Sequence, residues 1–143
     1  MARIKVELPA TFAFTTTIPI RITDLNYGKH VGNDTILSLL HEARMQFLQH
    51  HGFTELQLAG VGLIMSDVAI EFRQELFYPD TIQASVAAGD GTKVSFDLYY
   101  KLEKIVDGKP TLVAAAKTGM VCFDYEKKKV AAVPAAVKEQ FGL

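Results

Sequence analysis

The sequence is poor in cysteine. Cys122 stands alone among 143 residues, which excludes an intrachain disulfide and a cysteine-rich zinc site. An excess of charge of either sign is missing too: fifteen Lys plus Arg stand against sixteen Asp plus Glu, a formal net charge of −1. That balance offers no basic surplus for sequence-independent binding to nucleic acid, and no acidic tail. Long apolar runs are lacking as well, the longest falling far below the ~18 residues that cross a bilayer. The opening Met1-Ala2-Arg3-Ile4-Lys5-Val6-Glu7 has no apolar block of the signal-peptide kind. No repeat or low-complexity linker divides the chain. What the chain does have is 49% hydrophobic and 22% charged residues, enough for a packed core. The expectation is one cytoplasmic domain over residues 1–143, without membrane or nucleic-acid partners.

Period-two alternation marks the strands. Ile18, Ile20 and Ile22 alternate with Pro19, Arg21 and Thr23, and Pro19, which lacks a backbone donor, implies that this strand lies at an edge or is irregular there. Ile64, Val68, Ile70 and Phe72 share one parity of a second strand, with Leu63, Met65 and Ala69 on the other, a hint of contact on the outer side. Ile82, Ala84 and Val86 form a third. Val94, Phe96, Leu98, Tyr100 and Leu102 alternate cleanly in a fourth, and Leu112 to Phe123 reads as a fifth. Asp90-Gly91 and Asp107-Gly108-Lys109-Pro110 supply the reversals between them.

One stretch has helical spacing instead. From Asp34 to His51 the apolar residues Ile36, Leu37, Leu39, Leu40, Ala43, Phe47 and Leu48 cover a wide arc. Asn33 or Asp34 is the expected N-cap and Gly52 the stop. A short helix is expected after Pro134. Such a long helix followed by four strands suits an α+β arrangement, an antiparallel sheet curled around the helix. Asp24 falls in phase with the inward isoleucines and Arg44 lies on the apolar arc, so an Asp24–Arg44 pair bracing the helix is expected.

The segment before the helix is Asp24-Leu25-Asn26-Tyr27-Gly28-Lys29-His30-Val31-Gly32-Asn33. It leads into a helix start, where unpaired N–H groups and a partial positive charge suit a carbonyl oxygen that gains negative charge. Gly28 and Gly32 permit close backbone approach. Taken without context, Asp24, Asn26 and Asn33 are also ordinary turn and cap formers.

This segment resembles the signature of the hot-dog-fold thioesterases, in the branch of 4-hydroxybenzoyl-CoA thioesterase and related acyl-CoA thioesterases. Their pattern, D-x-D-x-x-G-H-V-x-N and then a helix with E-A-R, is similar to Asp24-x-Asn26, His30-Val31-Gly32-Asn33 and Glu42-Ala43-Arg44. The likeness continues through Val68-Ala69-Ile70-Glu71-Phe72-Arg73 and Tyr78-Pro79-Asp80-Thr81-Ile82. It implies a hot-dog fold of about five strands around one central helix and hydrolysis of an acyl-CoA or acyl-carrier-protein thioester. It implies no cofactor beyond the coenzyme A of the substrate. It further implies a homodimer joined edge to edge, or a tetramer, with the active site at the subunit interface.

The sequence departs from the family where the second Asp of the signature is replaced by Asn26. An amide has neither a titratable proton near neutral pH nor an attacking carboxylate, so Asn26 is left to orient water or the thioester carbonyl. His30 is one replacement base, since imidazole exchanges protons near neutral pH; packing at the helix start is its plainer reading. Glu75 is the other. The loop and Ile70-Glu71-Phe72-Arg73-Gln74-Glu75 also resemble plant acyl-carrier-protein thioesterases, whose histidine and glutamate fall at His30 and Glu75. Asn26 and Gly28 stand where those enzymes carry an acid and an asparagine. Tyr27, Gly28, Gly32 and Asn33 are the expected substrate contacts.

Two alternatives accompany this reading. R-specific enoyl-CoA hydratases carry D-x-N-P-x-H, which Asp24-x-Asn26 begins, but Tyr27 replaces the proline and His30 comes one residue late. A non-catalytic acyl-thioester-binding protein is the other. His41, His50 and His51 have no acidic neighbours at metal-ligand spacing, so no metal site is expected. Lys127-Lys128-Lys129 is a solvated turn or a contact for a coenzyme A phosphate, and Cys122 is inert core.

Overall fold

The structure, a computed structural model, describes residues 2–143. The alternating segments become β1 (Phe14–Pro19), β2 (Gly62–Phe72), β3 (Thr81–Gly89), β4 (Ser95–Val106) and β5 (Lys109–Asp124), and a short β6 (Lys129–Val130) follows. The helical segments are α1 (Asn33–His50) and α2 (Ala135–Phe141). All pairings are antiparallel, in the order β1-β3-β4-β5-β2, with β6 added to the end of β5. Asp107 and Gly108 both take positive φ in the two-residue β4–β5 turn, a geometry that matches strand twist. This is the α+β sheet-around-helix arrangement expected of a hot-dog fold.

One face of α1 and the inner face of the sheet form a single core. Leu40, Ala43 and Leu48 have no exposed surface, and they join Ile82, Ala84, Val86, Phe96, Leu98, Tyr100, Leu102, Ala116 and Met120 in one cluster. Each fully buried Leu or Phe there contributes about 1.5–3 kcal/mol. Cys122 lies in this cluster, where burial pushes its thiol up to about 11, leaving it protonated and unreactive near neutral pH.

Four details differ from the sequence expectations. First, α1 is capped by Gly32 rather than Asn33 or Asp34, with no side-chain cap bond. Its far end behaves as expected: Gly52 takes φ 81°, with Phe53 N–H bonded to the Leu48 carbonyl and Gly52 N–H to that of Gln49. Second, β1 ends at Pro19 and Ile22–Asp24 forms a 3-10 turn, which leaves Ile22 66% exposed while Ile18 and Ile20 stay buried.

Third, Asp24 does not meet Arg44. The Asp24 carboxylate accepts from Arg21 N–H at 2.8 Å and Arg21 Nη2 at 3.3 Å. Arg44 instead donates from Nε to Glu55 at 3.1 Å and from Nη1 to the Tyr100 hydroxyl at 3.1 Å. The Tyr100 hydroxyl also shares a hydrogen bond with the Thr118 hydroxyl at 2.7 Å, in which either oxygen can donate. Burial opposes the Arg44 charge, but Tyr100 and Glu55 outweigh it and hold the guanidinium above its ordinary value.

Fourth, β2 changes phase. A bulge between Met65 and Asp67 places Leu63 and Met65 opposite the buried Cys122 and Met120, and beyond it Val68, Ile70 and Phe72 opposite Thr118, Ala116 and Ala114. Cross-strand partners share a face, so residues of both parities point inward and the outward set includes Ile64, Asp67, Ala69 and Glu71. Ser66 Oγ donates to the Gly119 carbonyl and Asp67 accepts from Gly119 N–H. A Cβ at Gly119 would lie 2.6 Å from Asp67 Oδ1, so a side chain there would push the Asp67 carboxylate off its bond to the bulge.

Residues 2–13 cross the outer face as a strap. Thr15, Ser85, Lys101, Ala115 and Glu71 are successive register partners across five strands. The strap follows that row, with Phe12 under Lys101 Nζ (5.0 Å to the ring centroid) and Val6 N–H on Glu71 Oε1 at 3.2 Å. Among the described residues no helix is long and apolar enough to cross a membrane.

Candidate active site

The loop before α1 closes on itself. Asn26 N–H donates to the His30 carbonyl at 2.9 Å, its own carbonyl accepts from Lys29 N–H at 3.0 Å, and its Oδ1 accepts from Gly28 N–H at 2.8 Å. Lys29 takes the left-handed conformation this turn requires, with φ 66°, and a bridge between Leu25 and Val31 closes the base. Val31 N–H donates to the Leu76 carbonyl at 2.9 Å. That bond stitches the loop to the chain just beyond β2.

The segment beyond β2 is clamped by a residue that no sequence spacing pointed to. Lys104, on β4, donates to the Glu75 carbonyl at 2.6 Å and to Asp80 at 3.2 Å, and lies 5.3 Å from the Phe77 ring centroid. Asp80 also accepts from Phe77 N–H at 2.9 Å. Phe77 in turn sets its ring edgewise to His30, with centroids 6.5 Å apart.

A cleft of about 350 Å³ opens between these two segments, lined among others by His30, Asn33, Ile36, Phe72, Arg73 and Glu75. It therefore gathers His30, Glu75 and Asn33. Asn26, Tyr27, Gly28 and Gly32 lie outside its lining, and the Tyr27 side chain is fully exposed. Among the described residues the N–H groups of Gly32, Asn33 and Asp34 have no protein acceptor. The positive end of the 18-residue α1 dipole thus faces the cleft at Asn33.

The histidine tautomer follows from its neighbour. His30 Nδ1 lies 3.3 Å from the Val31 carbonyl oxygen, which can only accept, so Nδ1 is the donor there and in the neutral ring the lone pair falls on Nε2. A Cβ at Gly28 would stand 3.3 Å from Nε2 and 3.1 Å from Asn26 Oδ1, so the missing side chain leaves room beside that nitrogen. With Oδ1 of Asn26 occupied by Gly28, its amide nitrogen is the free end. It lies 3.5 Å from the point a Cβ at Gly32 would occupy, and Asp34 Oδ1 is 2.5 Å from the same point. A side chain at position 32 would have to displace the Asp34 carboxylate.

A larger groove, about 390 Å³, runs between β1 and α1 past Asp24, Ser38, His41 and Glu42. Its buried carboxylate is already committed to Arg21, and no free helix start opens on it. Lys127-Lys128-Lys129 follows the end of β5, whereas the cleft adjoins its beginning through Phe72 and Ala114, a separation of about 30 Å along the strand. Among the described residues no three His, Cys, Asp or Glu side chains are grouped to hold a metal ion.

Comparison with known proteins agrees with this geometry. Acyl-CoA thioester hydrolase YbgC of Escherichia coli is 26% identical over 129 residues, covering 86% of this chain and 92% of that protein. A 1,4-dihydroxy-2-naphthoyl-CoA thioesterase from Synechocystis superposes with a TM-score of 0.79 at 18% identity, over 90% of this chain and 95% of that one. A 4-hydroxybenzoyl CoA thioesterase mutant complexed with 4-hydroxybenzoyl CoA does so with a TM-score of 0.80 at 18% identity, over 90% and 97%. The model of the thioesterase-like superfamily matches residues 20–141, most of the chain and the whole of the site, and the chain belongs to that superfamily.

Proposed function

We propose that this protein hydrolyses an acyl-CoA thioester to the free acid and the thiol. One observation carries the reading: Asn33, whose N–H is unpaired at the start of α1, lines the same cleft as His30 and Glu75. The thioester carbonyl takes the Asn33 N–H, and the Asn26 amide nitrogen supplies a further donor. His30 Nε2 removes a proton from water as the water oxygen attacks the carbonyl carbon, and the Glu75 carboxylate steadies the imidazolium. Collapse of the oxyanion expels the thiolate, which takes that proton. Loss of one such donor costs about 10²–10³ in rate.

Thiol release from a panel of short, long and aromatic acyl-CoAs tests the reading. Tight binding with no thiol released from any of them would overturn it. Asn26→Asp belongs in the same assay. The aspartate still accepts from Gly28 N–H, so the loop holds, but the free donor is gone. The expected kcat is lower, by about 10²–10³-fold. A rise of about tenfold or more would move the base from His30 to position 26.

A homodimer is part of the proposal. β2 is an 11-residue edge strand with a free hydrogen-bonding side, and Val68 is 39% exposed on its inward face. Such an edge invites a second copy. Sedimentation should give twice the chain mass, and Val68→Lys should shift it to the monomer. A monomeric wild type would refute edge pairing.

A further inference from the structure

The cleft continues past Arg73. Phe72 and Arg73 line it on the inner side and also form one wall of a second concavity, about 370 Å³, whose other wall is Arg3, Ile4 and Lys5 of the strap. The strap is fixed there by the bond from Val6 to Glu71, and the second oxygen of Glu71 accepts from Arg73 at 2.8 Å. Three cations and one carboxylate thus line the same concavity. In a chain of net charge −1 this excess of two positive charges is a local feature. Its floor of Ile4, Ile70 and Phe72 is apolar, and an apolar wall focuses the field of the cations on whatever enters. Arginine also offers a planar fork of donors that matches phosphate.

We infer that Arg3, Lys5 and Arg73 hold the phosphates at the nucleotide end of an acyl-CoA whose thioester lies beside His30. The inference rests on the hydrolase reading and extends it to the substrate's far end. Arg73 borders both concavities, so the pantetheine arm passes from one to the other along a continuous wall. A small phosphorylated molecule suits a recess of this size, whereas a carrier protein needs a face of about 800 Å².

The test compares one acyl group carried on coenzyme A with the same group on pantetheine, which has no phosphates. In Arg3→Gln/Lys5→Gln the ratio of kcat/KM for acyl-CoA to that for acyl-pantetheine should fall about tenfold, chiefly through KM. The control Lys127→Gln/Lys128→Gln should keep the wild-type ratio. Calorimetric titration with coenzyme A alone should show about tenfold weaker binding by the strap variant. An unchanged ratio, an equal loss on both substrates, a loss confined to an acyl-carrier-protein substrate, or wild type that binds no coenzyme A would each overturn the inference. Weakened coenzyme A binding in a protein that releases no thiol would instead sink the hydrolase reading and leave the phosphate site standing. Normal thiol release with an unchanged ratio would do the reverse.

Discussion

His30→Ala should lower kcat for thiol release by about 10²–10⁴-fold while KM changes little. The magnitude is that of a general base lost from a site whose oxyanion donors stay in place. Those donors are backbone groups at the start of α1, held by Gly32 and by the Val31–Leu76 bond, so removing an imidazole leaves them where they are. The His30 ring makes one edgewise contact with Phe77 and one 3.3 Å bond to the next carbonyl. Neither is large enough for its loss to unfold the loop. His30→Gln guards against that objection, because glutamine keeps bulk and a donor but cannot accept and return a proton. Both variants should fall to a similar floor with unchanged melting temperatures. Retention of a third or more of wild-type kcat by either would remove His30 from the mechanism and leave Glu75 as the base.

The second large effect is on stability. Arg44→Met should destabilise the fold by about 2–3 kcal/mol, lowering Tm by roughly 5–10 °C. Cutting one partner from a fully buried ion pair costs about 3–5 kcal/mol, but the Glu55 side chain is 24% exposed and also meets His41 at 2.9 Å. Water and His41 therefore recover part of the loss. Tyr100 fares worse: it is fully buried and keeps only Thr118. Burial pushes its phenol up, against Arg44 and Thr118, which pull it down. Without Arg44 the group stays neutral and carries one unpaired lone pair. Tyr100→Phe should then cost less in the Arg44→Met background than alone, by about 1 kcal/mol in a double-mutant cycle. Urea midpoints at one fixed protein concentration would measure this. Additive costs would mean that the two side chains are not coupled.

The elements were legible because their periods are local. Phe96, Leu98, Tyr100 and Leu102 alternate without interruption, and all four are buried. The α1 arc needed only a 3.6-residue repeat, and Gly52 marked its end. β2 was harder, since one extra residue at Ser66 inverts the phase of everything after it. The visible sign is a polar pair, Ser66-Asp67, inside an apolar run, but its meaning depends on Gly119, 52 positions from Asp67. The 3-10 turn at Ile22 defeated alternation in the same manner, and it let Asp24 find Arg21 three residues away rather than Arg44 twenty residues on. Arg44 was correctly read as a buried charge in need of partners. Those partners come from the loop after α1 and from the middle of β4, a match no spacing encodes.

At the candidate site the sequence supplied the residue types and the helix start, and proximity in space did the rest. His30 and Glu75 lie 45 positions apart and line one cleft because Val31 is bonded to Leu76. Lys104, which clamps the Glu75 segment, sits in β4 with nothing nearby in the chain to mark it.

The path of residues 2–13 also decides how the protein can be handled. A purification tag fused ahead of the strap emerges next to Arg73, at the mouth of the cavity, and would crowd incoming substrate. Leu143 rests 3.2 Å from the Cβ position of Gly91, past the other end of β3, about 30 Å along that strand from the turn at Asp80. A carboxy-terminal fusion leaves the entrance clear, so enzymes tagged at the two ends should not be treated as equivalent reagents.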